Sequence, residues 1–536
     1  MSHKIQLLDC TLRDGGYVND WKFGRDTITY LFERLVSSNV DIIEVGFIDE
    51  RREYDPERTI MPDSEAVEKN FGRFAHGQSL VVGMIDYGTC GIENIVPCSE
   101  SCLDGIRVIF KKEKMYPAMA FCKEVKNLGY KVFSQLVSVT SYTDDELREV
   151  IRLVNDCHPY AVSMVDTYGL CDAPTLAHIV SVIDSELCQD IALGYHAHNN
   201  FQLGYSNAIS VLNSHLERDI LVDGTLYGMG KSAGNAPLEL LAMYMNANFG
   251  KEYDLNQIQE AISTSILDIY HKKPWGYTLF YYVAASNRCH PDYVSYLMNK
   301  RTLSVTAVNE ILQRIPEEKK LGKDMKMIES LYLEYQKREC DDREALLKLE
   351  NSLKGCNVLL LGPGASVLEQ KDKIREYITE NKPVVISVNY IPRGFHPDYV
   401  FLTNSRRYLQ LSSALTQVEN QNICIIATSN VTETGNDFPF VLNYSNLIDE
   451  SQEFPDNSMM MLIRLLVEID IKNVALAGFD GYTPDDVNYL DANMEYSFVK
   501  EKADALNKSG RDFFDKVKND IHIEFVTRSY YQDGDR

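Results

Sequence analysis

Short apolar runs alternate with amphipathic stretches along the first 250 residues. The runs are rich in Val, Ile and Leu and apolar on both faces, which is typical of strands buried in a parallel sheet. They cover residues 5–9, 41–46, 80–86, 105–110, 131–136, 160–165, 191–196 and 219–223. Between them, apolar residues recur at helical spacing. Eight strand–helix units within ~245 residues predict an α/β fold with a closed (β/α)8 TIM barrel. An open doubly wound sheet would give the same alternation, but eight consecutive units favour closure.

The pattern changes after the eighth unit and then resumes. Residues 251–354 are predicted to be largely helical. Their part from about 316 to 354 is highly charged and poor in Gly, Ser and Pro, which predicts helices that link two modules rather than a flexible linker. Apolar runs followed by helical patterns restart at 357–362, 383–389, 399–403, 423–428 and 473–478. We therefore predict three regions: a barrel over 1–250, a helical extension over 251–354, and a smaller Rossmann-like α/β domain over 355–536.

Composition narrows the function classes. The 536 residues include 78 acidic and 54 basic ones, a formal charge of −24, which disfavours nucleic acid and anionic membrane surfaces as partners. Twelve cysteines without a CxxC pair indicate reduced thiols rather than a disulfide scaffold. No apolar run approaches the ~18 residues that span a bilayer. We expect a cytoplasmic protein with no membrane span.

Polar residues cluster where the predicted barrel strands end, which is where TIM-barrel enzymes place their catalytic groups. Asp14 follows the first strand. His196 and His198 lie two apart in an extended segment, so both face the same way. Two imidazoles and a carboxylate form a facial set for a divalent cation with open positions for substrate. A glycine-rich turn that contains Asn235 follows the eighth strand.

Three segments carry a family resemblance. They are Leu12-Arg13-Asp14-Gly15, His196-Ala197-His198-Asn199 and Gly228-Met229-Gly230 followed by Ala233-Gly234-Asn235-Ala236-Pro237. In this order they resemble the DRE-TIM metallolyases, which include hydroxymethylglutaryl-CoA lyase and 4-hydroxy-2-oxovalerate aldolase, over roughly residues 1–300. The resemblance implies Asp14, His196 and His198 as ligands of Mn²⁺ or Mg²⁺, and Asn235 as a further one. It implies an aldolase or lyase acting on a 2-oxo acid and an aldehyde, in a homo-oligomer.

The implied chemistry passes through a pyruvate-type enolate. The cation stabilises charge on the keto oxygen, Arg13 hydrogen-bonds the same oxygen, and Glu44 orients a neighbouring group. The aldolases carry a basic His three residues after the metal Asp, where this chain has Tyr17. A phenol with a pKa near 10 is a poor base, so Tyr17 is a candidate for catalysis or for substrate binding only. The thiol of the CoA lyases is absent from the glycine-rich loop, which disfavours a CoA substrate.

Further candidates follow other strands. Tyr277 and Tyr281 lie in an aromatic segment that resembles the aldolase helix supplying an acid Tyr, although an aromatic packing stripe would look the same. Gln135, Asp166 and Thr167 follow barrel strands and are candidate substrate contacts.

The last region contains a glycine-rich turn between a strand and a helix, an arrangement that lets backbone N–H groups approach a phosphate. It resembles the nucleotide-binding fold of bacterial sialyltransferase-like and DUF115-type proteins. The resemblance implies a nucleotide-sugar pocket at Gly362, Gly364, Ser366 and Asn389. A degenerate domain used for docking remains the alternative.

The sequence thus predicts a metal-dependent carbon–carbon lyase, in sugar or surface-polysaccharide metabolism. Two alternatives stay open: a Claisen-type acyl-transfer synthase, and a catalytically impaired barrel that binds ligand beside a glycosyltransferase-like domain.

Overall fold

The computed structural model describes residues 3–300, 303–337, 339–415, 417, 420, 422–434, 438–449, 451–485, 487–490 and 497–532. The chain divides into two compact units, Met1–Pro291 and Asp292–Arg536.

Eight parallel strands in the first unit close into a barrel. We number them in chain order as β1 Ile5–Asp9, β2 Ile42–Ile48, β3 Leu80–Asp86, β4 Gly105–Phe110, β5 Lys131–Leu136, β6 Ala161–Asp166, β7 Ala192–Ala197 and β8 Ile220–Gly224. Each strand pairs with the next, and β1 closes the ring by pairing with both β2 and β8. The predicted TIM barrel is confirmed.

Helices surround the barrel and bury their apolar stripes against it. They span Arg25–Ser37, Ser64–Phe71, Met115–Asn127, Asp144–Cys157, Ala173–Glu186, Gly204–Leu212 and Leu238–Phe249. The exception to the predicted alternation is β3, which is followed by two 3-10 turns, Ile92–Asn94 and Cys98–Glu100. The unit ends with Leu255–Ala261, a π-helical turn Ile262–Ile266, Leu267–Lys272 and Leu279–Ser286.

The second unit starts with helices and continues into a parallel sheet. Its helices before the sheet are Pro291–Asn299, which begins at the last residue of the first unit, Val305–Gln313, Met325–Gln336 and Arg343–Leu353. The sheet strands are β9 Val358–Leu361, β10 Val384–Val388, β11 Tyr399–Leu402, β12 Cys424–Thr428, β13 Phe440–Leu442, β14 Asn473–Ala477 and β15 His522–Phe525. Their spatial order is β13-β12-β11-β10-β9-β14-β15, all parallel. Helices Ser366–Glu369, Lys371–Asn381, Ser405–Leu415, Tyr444–Leu447, Ser458–Glu468, Ser497–Glu501 and Ala503–Val517 connect them. The predicted second α/β sheet is confirmed.

None of the described helices has the length and apolar character that crossing a bilayer requires.

Candidate metal centre

Strand β7 and the segments after β1 and β7 bring three potential metal ligands together. A single helical turn, Thr11–Asp14, follows β1 and carries Asp14; His196 lies in β7 and His198 directly after it. One oxygen of Asp14 and one nitrogen of each imidazole lie within 4.8 Å of one another. All three side chains are buried. The sequence predicts these residues at the ends of the first and seventh strands, with β8 between them, and the structure brings the three side chains together.

Two orphaned atoms test whether this cluster fits a cation. His198 Nδ1 and Asn235 Oδ1 are buried without a hydrogen-bond partner. Asn235 is turned so that its Nδ2 donates to Asp14 Oδ1 over 2.9 Å and to Met229 O over 3.2 Å, which leaves Oδ1 free. Buried polar atoms without a partner are rare, and a bound ion is one of their ordinary explanations. Imidazole nitrogen, carboxylate and amide oxygen together suit Mn²⁺ or a similar divalent cation. The residues therefore fit the group.

Electrostatics keep two of the three side chains, Asp14 and His198, in the protonation states that a cation needs. Burial lowers the pKa of His196, but its hydrogen bonds to Asp14 and Asp223 outweigh burial and raise that pKa. Burial by itself would raise the pKa of Asp14, but Arg13 and the two imidazoles outweigh it and hold that pKa well below its usual range. Burial lowers the pKa of His198 to about 3, against the opposing pull of Asp14. Asp14 is therefore ionised and His198 neutral at any ordinary pH, and both are able to bind a metal.

Arg13 is held beside the cluster by two carboxylates. Its Nε donates to Glu44 Oε2 over 2.7 Å, and its Nη1 is paired with Asp14 Oδ2. Its guanidinium carbon lies 5.7 Å from the centre of the Phe47 ring. Arg13 is 4% exposed and Glu44 is fully buried. Glu44 is therefore positioned to orient Arg13 beside the ligand cluster.

Two charged residues of the centre, Arg107 in β4 and Asp223 in β8, were missed at the sequence level. Asp223 Oδ2 lies 2.9 Å from His196 Nδ1 and accepts a hydrogen bond from Arg107 Nη2 over 2.5 Å. The signal was present, because a charged residue inside a fully buried strand is rare unless it is paired. Each residue stands within an apolar run of the sequence.

Tyr17 stands at the rim of the centre. Its ring packs edge-on against Trp21 at 4.9 Å and Phe47 at 6.3 Å, and the Lys231 ammonium lies 5.4 Å from its centre. The side chain is 41% exposed. The surrounding protein and the Asp14 carboxylate raise the pKa of Tyr17 to about 12. The shift makes the phenol a still weaker base than the sequence suggested.

The three candidate substrate contacts are bonded to the barrel itself. Gln135, fully buried, accepts from Arg107 Nη2 over 2.9 Å and donates to Ser163 Oγ over 3.2 Å. Asp166 accepts from the backbone N–H groups of Leu170 and Cys171, and burial raises its pKa to about 6. Thr167 Oγ1 accepts from the Ser138 N–H over 2.8 Å. Their described bonds support loops and side chains, and a role in substrate binding stays a prediction.

The aromatic segment contacts the glycine-rich loop through Trp275. Its Nε1 donates to the Tyr227 carbonyl over 2.9 Å, and its ring lies 4.9 Å from that of Tyr270. Tyr277 is 57% exposed, and Tyr281 lies in the first turn of the helix Leu279–Ser286. Among the described hydrogen bonds and ring contacts, neither tyrosine meets the three ligand side chains, so their acid role stays a prediction.

The glycine-rich turn of the second unit is filled by a carboxylate of the chain. Asp480 Oδ2 accepts from the Ser366 N–H over 2.8 Å, and its Oδ1 accepts from Ser366 Oγ. A Cβ built on Gly364 would lie 2.6 Å from Asp480 Oδ1, and one on Gly362 would lie 2.5 Å from the Gly478 carbonyl oxygen. The glycines are therefore needed for close packing against the chain segment 478–480. A phosphate at the Ser366 N–H would have to displace Asp480.

Asn389 belongs to a separate polar cluster of the same unit. Its Nδ2 donates to Thr403 Oγ1 over 3.1 Å and to Ser458 Oγ over 2.8 Å, and its Oδ1 accepts from the Thr403 N–H. These bonds join the ends of β10 and β11 to the start of the helix Ser458–Glu468.

The family comparison concerns the first unit. A model of the HMGL-like family matches residues 4–264. The 4-hydroxy-2-oxovalerate aldolase 2 of Salinispora arenicola is 27% identical over 243 residues, 45% of this chain and 68% of that protein. The oxaloacetate decarboxylase of Mycobacterium tuberculosis is 24% identical over 277 residues, 50% of this chain and 80% of that protein. The solved hydroxymethylglutaryl-CoA lyase of Pseudomonas aeruginosa is 17% identical with a TM-score of 0.42, covering 51% of this chain and 94% of that one.

Proposed function

Because residues 4–264 form an HMGL-like domain of the DRE-TIM metallolyase type, we propose that the chain is a divalent-metal-dependent aldolase. It cleaves or forms the C3–C4 bond of a 4-hydroxy-2-oxo acid. The observation that carries the proposal is the convergence of Asp14, His196 and His198 within 4.8 Å at the carboxyl ends of the barrel strands. The aldolases among the relatives support the same reaction class.

The residues of the chain have distinct tasks in this reaction. A divalent cation held by Asp14, His196 and His198 supplies Lewis acidity toward the keto oxygen of the substrate. Arg13 uses Nε and Nη1 to hold its place against Glu44 and Asp14. Its Nη2 is then the group that donates to the same keto oxygen. A fixed guanidinium is cationic at any working pH and stabilises charge as it develops, without reorganising.

Cleavage also requires that the 4-hydroxyl lose its proton. The bond between C3 and C4 then breaks, the aldehyde leaves, and the enolate takes up a proton at C3 to give the 2-oxo acid. Tyr17, with a pKa of about 12, is an unsuitable acceptor for the hydroxyl proton. We assign Tyr17 to substrate binding at the rim of the metal centre, where Lys231 lies beside its ring. We propose that solvent accepts the proton of the 4-hydroxyl.

The weakness of Tyr17 as a base favours one second candidate, decarboxylation of a 2-oxo dicarboxylic acid. This reaction passes through the same enolate but releases CO2, so it needs no base for a hydroxyl. The similarity to the oxaloacetate decarboxylase of Mycobacterium tuberculosis supports it.

Product analysis separates these candidates. The purified chain with Mn²⁺ is given 4-hydroxy-2-oxo acids, oxaloacetate, or glyoxylate-type acceptors with acetyl-CoA. An aldolase releases pyruvate and aldehyde in equal amounts, a decarboxylase releases pyruvate and CO2 from oxaloacetate alone, and a Claisen-type synthase releases free CoA.

We expect Asp14→Asn to abolish the reaction and Asp49→Asn to keep it. Asp49 is a buried carboxylate just after β2 that pairs with Arg51 instead of the ligand cluster. Turnover that survives metal removal and Asp14→Asn would refute the proposal. Binding of Mn²⁺ without turnover of any of these substrates would favour the impaired-barrel alternative.

We further propose that the second unit serves a sugar or surface-polysaccharide context through a nucleotide sugar. Its seven-stranded parallel sheet supports the idea at the level of fold only. A thermal-shift screen with CMP- and UDP-sugars tests it, and the absence of any shift would favour the docking alternative. Because Asp480 occupies the glycine-rich turn, Asp480→Asn is expected to increase the shift if phosphate enters there.

A further inference from the structure

Six buried side chains around the metal centre form a closed ring of ion pairs and hydrogen bonds. The ring runs from Asp14 to His196, Asp223, Arg107, Glu44, Arg13 and back to Asp14. No member is more than 4% exposed. Three carboxylates therefore alternate around the ring with two guanidinium groups and one imidazole. Each guanidinium lies between two carboxylates, and the imidazole of His196 lies between the other pair, Asp14 and Asp223. The proposed ligands Asp14 and His196 are neighbours in this ring.

The two nitrogens of His196 face different partners. Nδ1 lies 2.9 Å from Asp223 Oδ2, and Nε2 lies 3.6 Å from Asp14 Oδ2. A carboxylate only accepts hydrogen bonds, so Nδ1 carries the hydrogen that Asp223 receives. The lone pair of the neutral ring is then on Nε2, which faces Asp14 and the ligand cluster.

Asp223 is itself held in place. Its Oδ2 accepts from Arg107 Nη2 over 2.5 Å, and Arg107 Nη1 lies 3.0 Å from Glu44 Oε2. Gln135 Oε1 accepts from the same Nη2 over 2.9 Å. Arg107 is fully buried between the two carboxylates, so withdrawal of either would leave its guanidinium with a single carboxylate partner in the barrel. Asp223 therefore cannot turn away from His196 without breaking its ion pair with Arg107.

A second set of potential ligands shares His196 but is less suited to an ion. Cys10, His196 and Asp223 also lie close enough for coordination. The Cys10 thiol donates to the Gly224 carbonyl over 3.4 Å, and burial raises its pKa well above the usual value, so it stays protonated. His196 Nδ1 already faces Asp223. The geometry thus separates an ion-binding side of His196, toward Asp14, from a supporting side, toward Asp223.

We propose that Asp223, held by Arg107, is a positioning residue of the metal centre: it fixes His196 as the Nδ1–H tautomer and presents Nε2 to the cation. The inference rests on the proposed function, since it concerns how the same site is kept ready for metal. Carboxylates behind metal-binding histidines commonly act in this way, and their loss weakens metal affinity about 10- to 100-fold.

Isothermal titration with Mn²⁺ measures the effect on affinity. Asp223→Asn is nearly isosteric, but its side chain has only one acceptor oxygen for the two donors, His196 and Arg107. The imidazole of His196 is therefore no longer held in one orientation. We expect about a 10- to 100-fold weaker Kd for Mn²⁺. The matched control is Asp184→Asn, which removes the carboxylate partner of another buried arginine, Arg218, whose Nε donates to Asp184 over 2.6 Å at the opposite end of the barrel. The control should lose thermal stability and keep the Kd.

The tautomer itself is read from the nitrogen NMR spectrum of histidine-labelled, metal-free protein at about pH 9, where an imidazole is neutral. The His196 signals are those that disappear in His196→Gln. We expect the Nδ1–H pattern in the wild type and a mixture or the opposite tautomer in Asp223→Asn. An Nε2–H pattern in the wild type would overturn the inference even if the variant failed to fold. A wild-type Kd in Asp223→Asn would also overturn it. Failure of the metal site itself looks different, because Asp14→Asn would then bind Mn²⁺ as tightly as the wild type.

Discussion

Replacement of Gly230 by alanine is a sharp local perturbation of the metal centre. A Cβ built on Gly230 would lie 2.1 Å from Asn235 Nδ2 and 2.6 Å from Asp14 Oδ1. Ordinary contact begins at 3.4 Å, so these atoms must retreat by about 1.3 Å and about 0.8 Å respectively. Metal–ligand distances tolerate deviations of only about 0.2 Å. The variant therefore separates Asp14 from the position that the cation requires.

We expect Gly230→Ala to lower kcat/KM for pyruvate release by at least about 100-fold, or about 2.7 kcal/mol of transition-state stabilisation. The Kd for Mn²⁺ should weaken in parallel. The control is Gly83→Ala in β3, where the nearest neighbour of the new Cβ is the flexible tip of Ile48 at 3.3 Å. The control should keep both activity and metal affinity. If Gly230→Ala bound Mn²⁺ and turned over substrate like the wild type, Asp14 and Asn235 would not be the ligands described above.

Three further predictions concern single groups of the barrel. Arg13→Lys keeps the positive charge but loses the guanidinium that bridges Glu44 and Asp14. We therefore expect kcat to fall at least about 100-fold with little change in the Kd for Mn²⁺, which steady-state kinetics and metal titration measure separately. Tyr17→Phe should lower kcat less than about 10-fold and leave the pH–rate profile in place, because a phenol with a pKa of about 12 is not the base; loss of a limb of that profile would contradict this assignment. Burial raises the pKa of Asp9 from 3.8 to about 7, so the folded chain holds a proton that the unfolded chain releases, and this group's contribution to stability declines as the pH rises from about 4 to 7. The free energy of unfolding in urea should therefore fall with pH in the wild type relative to Asp9→Asn, by up to about 4 kcal/mol across that interval. Parallel plots of this free energy against pH for the two proteins would contradict the prediction.

The barrel and the clustering of Asp14, His196 and His198 were predictable because they depend on local patterns. Each strand of a parallel barrel is buried on both faces, so it reads as an apolar run wherever it occurs. Asp14 and the pair His196 and His198 stand at the ends of such runs, and barrel closure alone brings those ends together. Seven of the predicted helices formed, whereas the segment after β3 adopts 3-10 turns, a detail that no periodicity in 87–104 revealed.

The rest depends on pairings across the fold. Arg107 and Asp223 are 116 positions apart in the sequence, and no local sequence pattern predicts that these two residues form an ion pair. The short edge strands β13 and β15, Phe440–Leu442 and His522–Phe525, were likewise missed, because three- or four-residue strands at the ends of a sheet carry too little apolar pattern. The glycine-rich turn at Gly364 predicts a phosphate pocket or a structural turn, and the carboxylate that occupies it in the structure comes from Asp480, 116 residues after Gly364 in the sequence.

The most direct test of the account is the anomalous diffraction of Mn²⁺ in crystals of the protein soaked with the ion and oxalate. We predict one strong peak in the barrel, about 2.0–2.3 Å from an oxygen of Asp14, from His196 Nε2 and from a ring nitrogen of His198, with Asn235 Oδ1 and oxalate in the rest of the shell. A peak between Cys10, His196 and Asp223, or crystals in which Asp14 and the two imidazoles point to different regions, would contradict the metal centre and the lyase chemistry built on it.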